Sequence, residues 1–193
     1  MDKEVEKEKN LIIYNGEYYN GKRDGKGIEY NDQGKKIYVG YFKNGERDGK
    51  GTEYNESDKI MYDGEFKKGE RDGKGTEYNE SEKMMYNGEF KKGERDGKGT
   101  EYNENGDKIF DGIIQNGKKW SGNLKIYNEK GDKQFEGRIE NGKKNGKAKE
   151  YSGVNLIFDG EYLFGERNDF GKEYNNNKLT FEGMYSYGIR INH

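Results

Sequence analysis

Few residues in this chain could do chemistry. The single histidine is His193, the final residue, and cysteine is absent. The five serines fall at scattered turn and strand positions. No nucleophile can be paired with a base from spacing, so nucleophilic catalysis has no candidate residues. Without cysteine there is no disulfide framework and no Cys-based zinc site. Carboxylates are plentiful, but Asp63 and Glu65 alternate with lysine along a polar face, which is the pattern of solvated charge. The stretch Gly45-Glu46-Arg47-Asp48-Gly49-Lys50-Gly51-Thr52 invites comparison with a phosphate loop. Such a loop needs four residues between its first glycine and its Gly-Lys pair, then Ser or Thr directly after the lysine. Here three intervene and Gly51 follows Lys50. Residues 103–107 lack the acidic spacing of a calcium loop. The expectation is a protein that is not an enzyme and that uses no metal, cofactor or small-molecule substrate.

Binding has better candidates. Arg47, Arg71 and Arg95 recur at one position, each 24 residues after the last. Such a ladder could meet the phosphates of an anionic lipid. Each arginine also has acids beside it, as Glu70 and Asp72 flank Arg71, and local ion pairs of this exposed kind are worth about 0–1 kcal/mol each. The aromatic residues are the other candidates: Tyr38, Phe42 and Tyr54, then Tyr62, Phe66 and Tyr78, then Tyr86, Phe90 and Tyr102, and the only tryptophan, Trp120. Large rigid rings with a polar tip make good anchors for a partner. The same rings could instead be needed to hold the fold together.

The elements that position them follow from a repeat. An aromatic followed two residues later by glycine occurs at Tyr14, Tyr38, Tyr62, Tyr86, Phe110, Phe135, Phe158 and Phe181. The steps are 24, 24, 24, 24, 25, 23 and 23, which makes eight units, the last truncated. In the unit at 62–85, Tyr62, Gly64 and Phe66 alternate with Asp63, Glu65 and Lys67, which is strand periodicity. Residues 69–73 form a glycine-rich turn, Lys74, Thr76 and Tyr78 a second alternating run, and 79–83 a polar turn into the next unit. Each unit is thus one β-hairpin. Centring the turn on Glu70 sets Tyr62 opposite Tyr78 and Gly64 opposite Thr76, unless a bulge at Gly73 or Gly75 shifts the register. A helix is excluded because four glycines in 64–75 would cost roughly 1 kcal/mol each in a helix interior. An aromatic ring can lie flat over a strand glycine, where no side chain stands in its way.

The composition fits such an array. Hydrophobic residues make up 28% and charged residues 38%, yet there are 17 Tyr, 9 Phe and 31 Gly with no Pro. Rings stacked on one surface can replace a thick core. The net charge of −2 is spread along the chain and favours neither nucleic acid nor an anionic membrane. Residues 1–10, MDKEVEKEKN, read as a charged tail able to protect a sheet edge, with none of the apolar core of a signal peptide. The array itself spans 11–193. A cytoplasmic location follows as an expectation, with a peripheral place at a membrane or a cytoskeletal structure as the alternative.

The run Tyr-x-Gly-x-Phe-x-x-Gly-x-x-x-Gly-x-Gly from Tyr62 to Gly75 resembles the MORN repeat (membrane occupation and recognition nexus). The likeness extends from residue 14 to about 188. It is strong in the first four units and looser afterwards, where Leu124, Ala148 and Asp169 stand at glycine positions. Those looser units are also similar to bacterial antitoxin repeats of the YwqK type. The resemblance implies an all-β fold: an elongated, single-layer, twisted antiparallel sheet of consecutive hairpins with aromatics lining a groove. It also implies a non-catalytic scaffold for protein–protein interaction or self-association through the groove or the sheet ends. A phospholipid-associated module and an antitoxin-like neutralising binder are the alternatives it raises.

Overall fold

The computed structural model describes residues 2–8 and 11–191. Among them there are seventeen strands and no helix. The chain divides into two compact units, residues 1–97 with 104–106, and residues 98–103 with 107–193. The first contains β1 (Asp2–Glu8), β2 (Leu11–Tyr19), β3 (Lys22–Tyr30), β4 (Lys36–Lys43), β5 (Glu46–Tyr54), β6 (Ile60–Lys67), β7 (Glu70–Tyr78), β8 (Met84–Lys91) and the start of β9 (Glu94–Tyr102). The second contains the rest of β9, then β10 (Lys108–Gln115), β11 (Lys118–Tyr127), β12 (Lys133–Glu140), β13 (Lys143–Ser152), β14 (Asn155–Leu163), β15 (Glu166–Asn175), β16 (Lys178–Ser186) and β17 (Ile189–Ile191). From β1 to β8, and from β10 to β17, each strand pairs antiparallel with the next in sequence. Each unit is therefore a single open layer of consecutive hairpins.

The turn is tighter than the glycine cluster suggests. Lys67 pairs with Glu70, so the loop is the two residues Lys68 and Gly69. Their φ values are 50° and 84°, the left-handed pair of a type I′ turn, whose twist matches that of the flanking strands. Asn44–Gly45, Asn116–Gly117 and Asn141–Gly142 repeat it with the residue best suited to the first position. Gly73 belongs instead to a bulge. Gly64 pairs with Gly75 and Phe66 with Arg71, so Glu65 alone opposes Asp72, Gly73 and Lys74. The Glu65 carboxylate accepts the Lys74 N–H at 3.3 Å and so holds the bulge. The register expected from the sequence is corrected by one residue: Tyr62 faces Glu77 rather than Tyr78, and Gly64 faces Gly75 rather than Thr76. The charged segment expected as a tail also takes a different form, because Asp2–Glu8 is a strand hydrogen-bonded to β2. Met1, Lys9, Asn10, Asn192 and His193 lie outside the described residues.

The facing glycines are what make the layer stable. Tyr62 lies along its own hairpin over Gly64 and Gly75, and its hydroxyl donates to the Glu65 carbonyl at 3.1 Å. A β-carbon on Gly75 would land on the Tyr62 ring and hydroxyl. The same arrangement holds Tyr14 over Gly16 and Gly27, and Tyr38 over Gly40 and Gly51. In the second unit Phe135 replaces the tyrosine, and Ala148 stands where the second glycine would be. Without a hydroxyl the ring leaves room for one methyl group.

Gly75→Ala is accordingly expected to destabilise the first unit by about 1–3 kcal/mol through overpacking. Tyr62→Phe in the same chain should recover part of that loss, as Ala148 beneath Phe135 indicates. Urea unfolding of the two single variants and the double variant checks this, and strictly additive effects would refute the packing account.

Candidate functional site

The recurring aromatics assemble into a file. In the first unit the rings run Tyr18, Tyr14, Phe42, Tyr38, Phe66, Tyr62, Phe90, Tyr86, each edge-on to the next at 5.0–5.3 Å. Alternate contacts join neighbouring hairpins, as Tyr38 meets Phe66. Edge-to-face pairs are worth about 0.5–1.5 kcal/mol each beyond the area they bury. The second unit has its own file, Phe135, Tyr162, Phe158, Tyr185, Phe181, at 5.5–6.1 Å. At Ile114 and Ile139 an aliphatic side chain takes the position of Phe66 and is equally buried.

A ladder of charge covers each file. The Arg71 guanidinium lies 4.4 Å above the Tyr62 ring and bridges Glu53 at 2.5 Å and Glu77 at 2.7 Å. Arg47 sits over Tyr38 between Glu29 and Glu53. Arg95 sits over Tyr86 with Glu77. Each glutamate shares its two oxygens between its own hairpin's arginine and the next one's. In the second unit Lys144, Glu150, Arg167, Glu173 and Arg190 continue the pattern. Adjacent hairpins are also stitched at their tips. The Gly69 N–H donates to the Arg47 carbonyl and the Gly93 N–H to the Arg71 carbonyl, both at 2.9 Å.

These positions decide what the expected site residues do. Tyr38, Phe42, Tyr62, Phe66, Tyr86 and Phe90 are at most 3% exposed. They are the core of the first unit, and their faces are already taken by glycines, rings and guanidiniums. Tyr54, Tyr78 and Tyr102 are half-buried, and the Lys36 ammonium lies 3.8 Å above Tyr54. Trp120 is the expected anchor that stays accessible, on β11 of the irregular fifth hairpin. Arg47, Arg71 and Arg95 do not stand out as a phosphate-facing ladder. Nor do Arg47 and Arg71 pair with the acids of their own turns: Arg71 reaches Glu53 and Glu77 rather than Glu70 and Asp72.

Sequence reasoning missed the residues that are displayed. Phe164 and Tyr187 are 62% and 65% exposed. Each occupies the first position of a type I′ turn, with φ of 52° and 46°, where other hairpins carry Asn or Lys. Left-handed backbone is unfavourable for bulky residues. Their turns are successive tips of the second unit, Gly165 N–H bonding the Lys144 carbonyl and Gly188 N–H the Arg167 carbonyl. Phe170, 44% exposed on β15, takes the position held by Lys74 in the regular repeat. The signal was present in the sequence as aromatics standing where the repeat has polar residues.

The charge ladder sets the ionisation of the second unit. Burial alone would push the Glu150 carboxyl up, but hydrogen bonds from Arg167 and Lys144 outweigh it and hold the group at about 2, below an ordinary 4.5. Burial likewise opposes the lowering of Glu173, which Arg190 and Tyr185 produce. Burial pushes the Tyr162 hydroxyl far up, and the Glu150 carboxylate beside it adds to the shift, although the hydroxyl does not reach hydrogen-bond geometry with it; the equivalent Tyr185 hydroxyl donates to Glu173 at 2.7 Å. Among the described residues no group of three or more acidic or histidine side chains is placed to hold a metal ion.

Comparison with known protein families gives one match. Residues 14–35, 38–57, 62–81, 86–108 and 135–153, together more than half of the chain, fit the family model of the MORN repeat. No curated protein matches the chain.

Two measurements test this geometry. Because Glu150 is held below its unfolded value, its stabilising contribution is complete above about pH 4.5 and is lost as the pH falls toward 2. The urea midpoint should fall across that window, and Glu150→Gln should flatten part of the slope. An unchanged slope in the variant would rule out the ladder as its source. Tyr162→Phe should change stability by less than about 1 kcal/mol, because the buried hydroxyl does not reach hydrogen-bond geometry with the Glu150 carboxylate beside it. A loss above about 1 kcal/mol in the same assay would show that the hydroxyl is satisfied.

Proposed function

Because the chain belongs to the MORN-repeat family, we propose that it is a non-catalytic repeat scaffold that binds protein through the displayed aromatic tips of its second unit. The observation that carries this reading is the placement of Phe164 and Tyr187. Both hold a left-handed turn conformation that Asn would adopt more readily, and both remain exposed. Unfavourable backbone retained under an exposed ring points to a binding role. Exposed aromatics with a rigid sheet behind them make interface anchors that lose little conformational freedom on binding.

The competing family role, association with phospholipid, receives less support from the charges. The arginines at the recurring position bridge carboxylates. The formal net charge is −2. Among the described residues no helix is long and apolar enough to cross a membrane. Electrostatic attraction to an anionic bilayer would need clustered cations that are not already neutralised.

Vesicle co-sedimentation tests the choice. Neither neutral nor phosphoinositide-containing vesicles are expected to pellet the full chain, at low or at physiological salt. Binding to anionic vesicles that survives physiological salt and is lost in Phe164→Asn/Tyr187→Asn would overturn the protein-scaffold reading in favour of membrane insertion by the tips. The same double variant is expected to be more stable than the parent by about 0.5–2 kcal/mol, since it relieves two strained positions. Lower thermal stability would mean that the rings serve the fold instead.

A further inference from the structure

The face of the sheet turned away from the ring file has a repeating pattern of its own. In the first unit Lys50 lies opposite Glu65, and Lys74 opposite Glu89, so cations and carboxylates alternate from strand to strand. The carboxylates in this row also serve the bulges. Glu17 accepts from the Lys26 N–H at 2.8 Å, and Glu65 from the Lys74 N–H at 3.3 Å. Their side chains fill the space over the bulge: a β-carbon on Gly73 or Gly97 would land on the carboxylate of Glu65 or Glu89.

In the second unit the pattern is inverted at one place. Arg138 stands between Gly137 and Ile139 on β12, as Glu65 stands between Gly64 and Phe66 on β6. It faces a bulge of the same form. Gly137 pairs with Ala148 and Ile139 with Lys144, so Arg138 alone opposes Asn145, Gly146 and Lys147. A cation thus takes the place of the carboxylate that the bulge N–H would meet. Among the described residues no side chain accepts from the Lys147 N–H. Nothing lies within 4 Å of where a β-carbon on Gly146 would stand.

The charges around this notch are also unlike the rest. Every other arginine among the described residues bridges a carboxylate. Arg138 is exposed and makes no ion pair, hydrogen bond or ring contact among them. Lys147 is exposed and forms no ion pair, although Glu161 lies opposite it. The nearby acids are engaged, Glu136 with Lys133 and Asp111 with Lys108. Asn123, opposite Arg138, brings no charge. These side chains line a cleft of about 360 Å³ together with Leu124 and Lys125. The row continues through Lys147 and Glu161 to Phe170 on β15, which is 44% exposed. At about 4.8 Å between strands, Phe170 lies about 12 Å from the notch, a distance that about four residues of extended chain span.

We propose that the notch over Gly146 binds a carboxylate from an extended acidic segment of a partner protein. The Lys147 N–H and the Arg138 guanidinium share that carboxylate, and a large apolar side chain four residues away in the segment rests on Phe170. The array itself shows which group fits, because a glutamate carboxylate occupies the equivalent N–H in the regular hairpins. A carboxylate held by a guanidinium and a main-chain N–H makes two charge-assisted hydrogen bonds. Side chains four apart in an extended segment point the same way, so both can face the sheet. This inference rests on the protein-scaffold reading and supplies the chemistry of the partner.

Titration of the isotopically labelled full chain, followed by amide NMR, tests it. The probes are the capped peptides Gly-Glu-Ser-Thr-Ser-Phe-Gly and, for the opposite chain direction, Gly-Phe-Ser-Thr-Ser-Glu-Gly. The Lys147 amide is expected to shift downfield and saturably with at least one of them. Glutamine in place of the peptide's glutamate should weaken binding about tenfold, and alanine in place of its phenylalanine severalfold. Arg138→Glu should abolish binding and still fold, since regular hairpins carry glutamate there and its own carboxylate can take the Lys147 N–H. Phe170→Lys, also a return to the regular repeat, should remove only the gain that the peptide's phenylalanine brings. The proposal is overturned if neither peptide shifts Lys147, if the glutamine peptide binds equally well, or if Arg138→Glu binds as the parent does. Arg138-dependent pelleting with phosphoinositide vesicles would also overturn it, by giving the notch to a lipid phosphate. A chain that ignores both peptides and vesicles loses the notch but keeps the protein-scaffold reading, which stands on the turn aromatics, so the two failures are distinguishable.

Discussion

The contact between an aromatic ring and the two facing glycines beneath it is the constraint on which this structure depends. A single-layer sheet has no second layer against which to bury side chains. Here the layer buries rings against its own backbone. Tyr62 lies flat over Gly64 and Gly75, neighbouring rings close its edges, and Arg71 covers its top. That is how a chain only 28% hydrophobic leaves Tyr14, Tyr38, Tyr62 and Tyr86 fully buried. The cost is rigid demand on sequence. The glycine pair must face each other, so the bulge at Asp72–Lys74 must take up the extra residues between the turn and Gly75. The stretch Gly-Glu-Arg-Asp-Gly-Lys-Gly-Thr-Glu-Tyr-Asn-Glu stands unchanged at 45–56, 69–80 and 93–104, one geometry imposed three times.

Coupling between hairpins is strictly to nearest neighbours and comes in three forms. Rings meet across the boundary, as Tyr38 meets Phe66. Each arginine reaches back to the glutamate of the preceding hairpin. Each turn glycine bonds the main chain of the preceding hairpin, and at the opposite ends Lys35, Lys59 and Lys83 reach forward to carbonyls 21 residues on. Stability in such an array is a sum of local terms, so any hairpin without a following neighbour leaves all three forms incomplete. Phe181, which faces Glu173 on β15, is half-buried where Phe158 and Phe135 are shut away.

Much of the fold was legible from periodicity alone. The 24-residue step and the aromatic-x-glycine pairs are written in residue types, because ring and glycine cannot be exchanged for anything else. The hairpins follow from them. The register was not legible to the residue, because the bulge is held by Glu65, whose role appears only when the strands are paired. The partners of Arg71 were misjudged for a similar reason. Glu70 and Asp72 are its neighbours in the chain, but Glu53 and Glu77 flank Tyr62 across the sheet and share its face. Strand β1 lacks any aromatic and announces itself only through Glu6, which is indistinguishable in sequence from the charges around it.

This division says where to look for binding in a repeat array of this kind. The consensus residues are committed: the rings are core, the glycines are their bed, and the arginines and glutamates are their cover. A partner that bound the ring file would have to displace guanidiniums bridging two carboxylates, which would leave buried charge uncompensated. Positions where the repeat departs from its own pattern carry no such commitment. Phe164 and Tyr187 stand where Asn would suit the turn, and Phe170 stands where lysine would suit the open face. Phe164 and Tyr187 are left largely exposed by the array, and Phe170 has the Lys172 ammonium 5.9 Å over its ring. The irregular units, which are the least informative about the fold, are therefore the most informative about recognition, and the search for partner contacts belongs in the second unit.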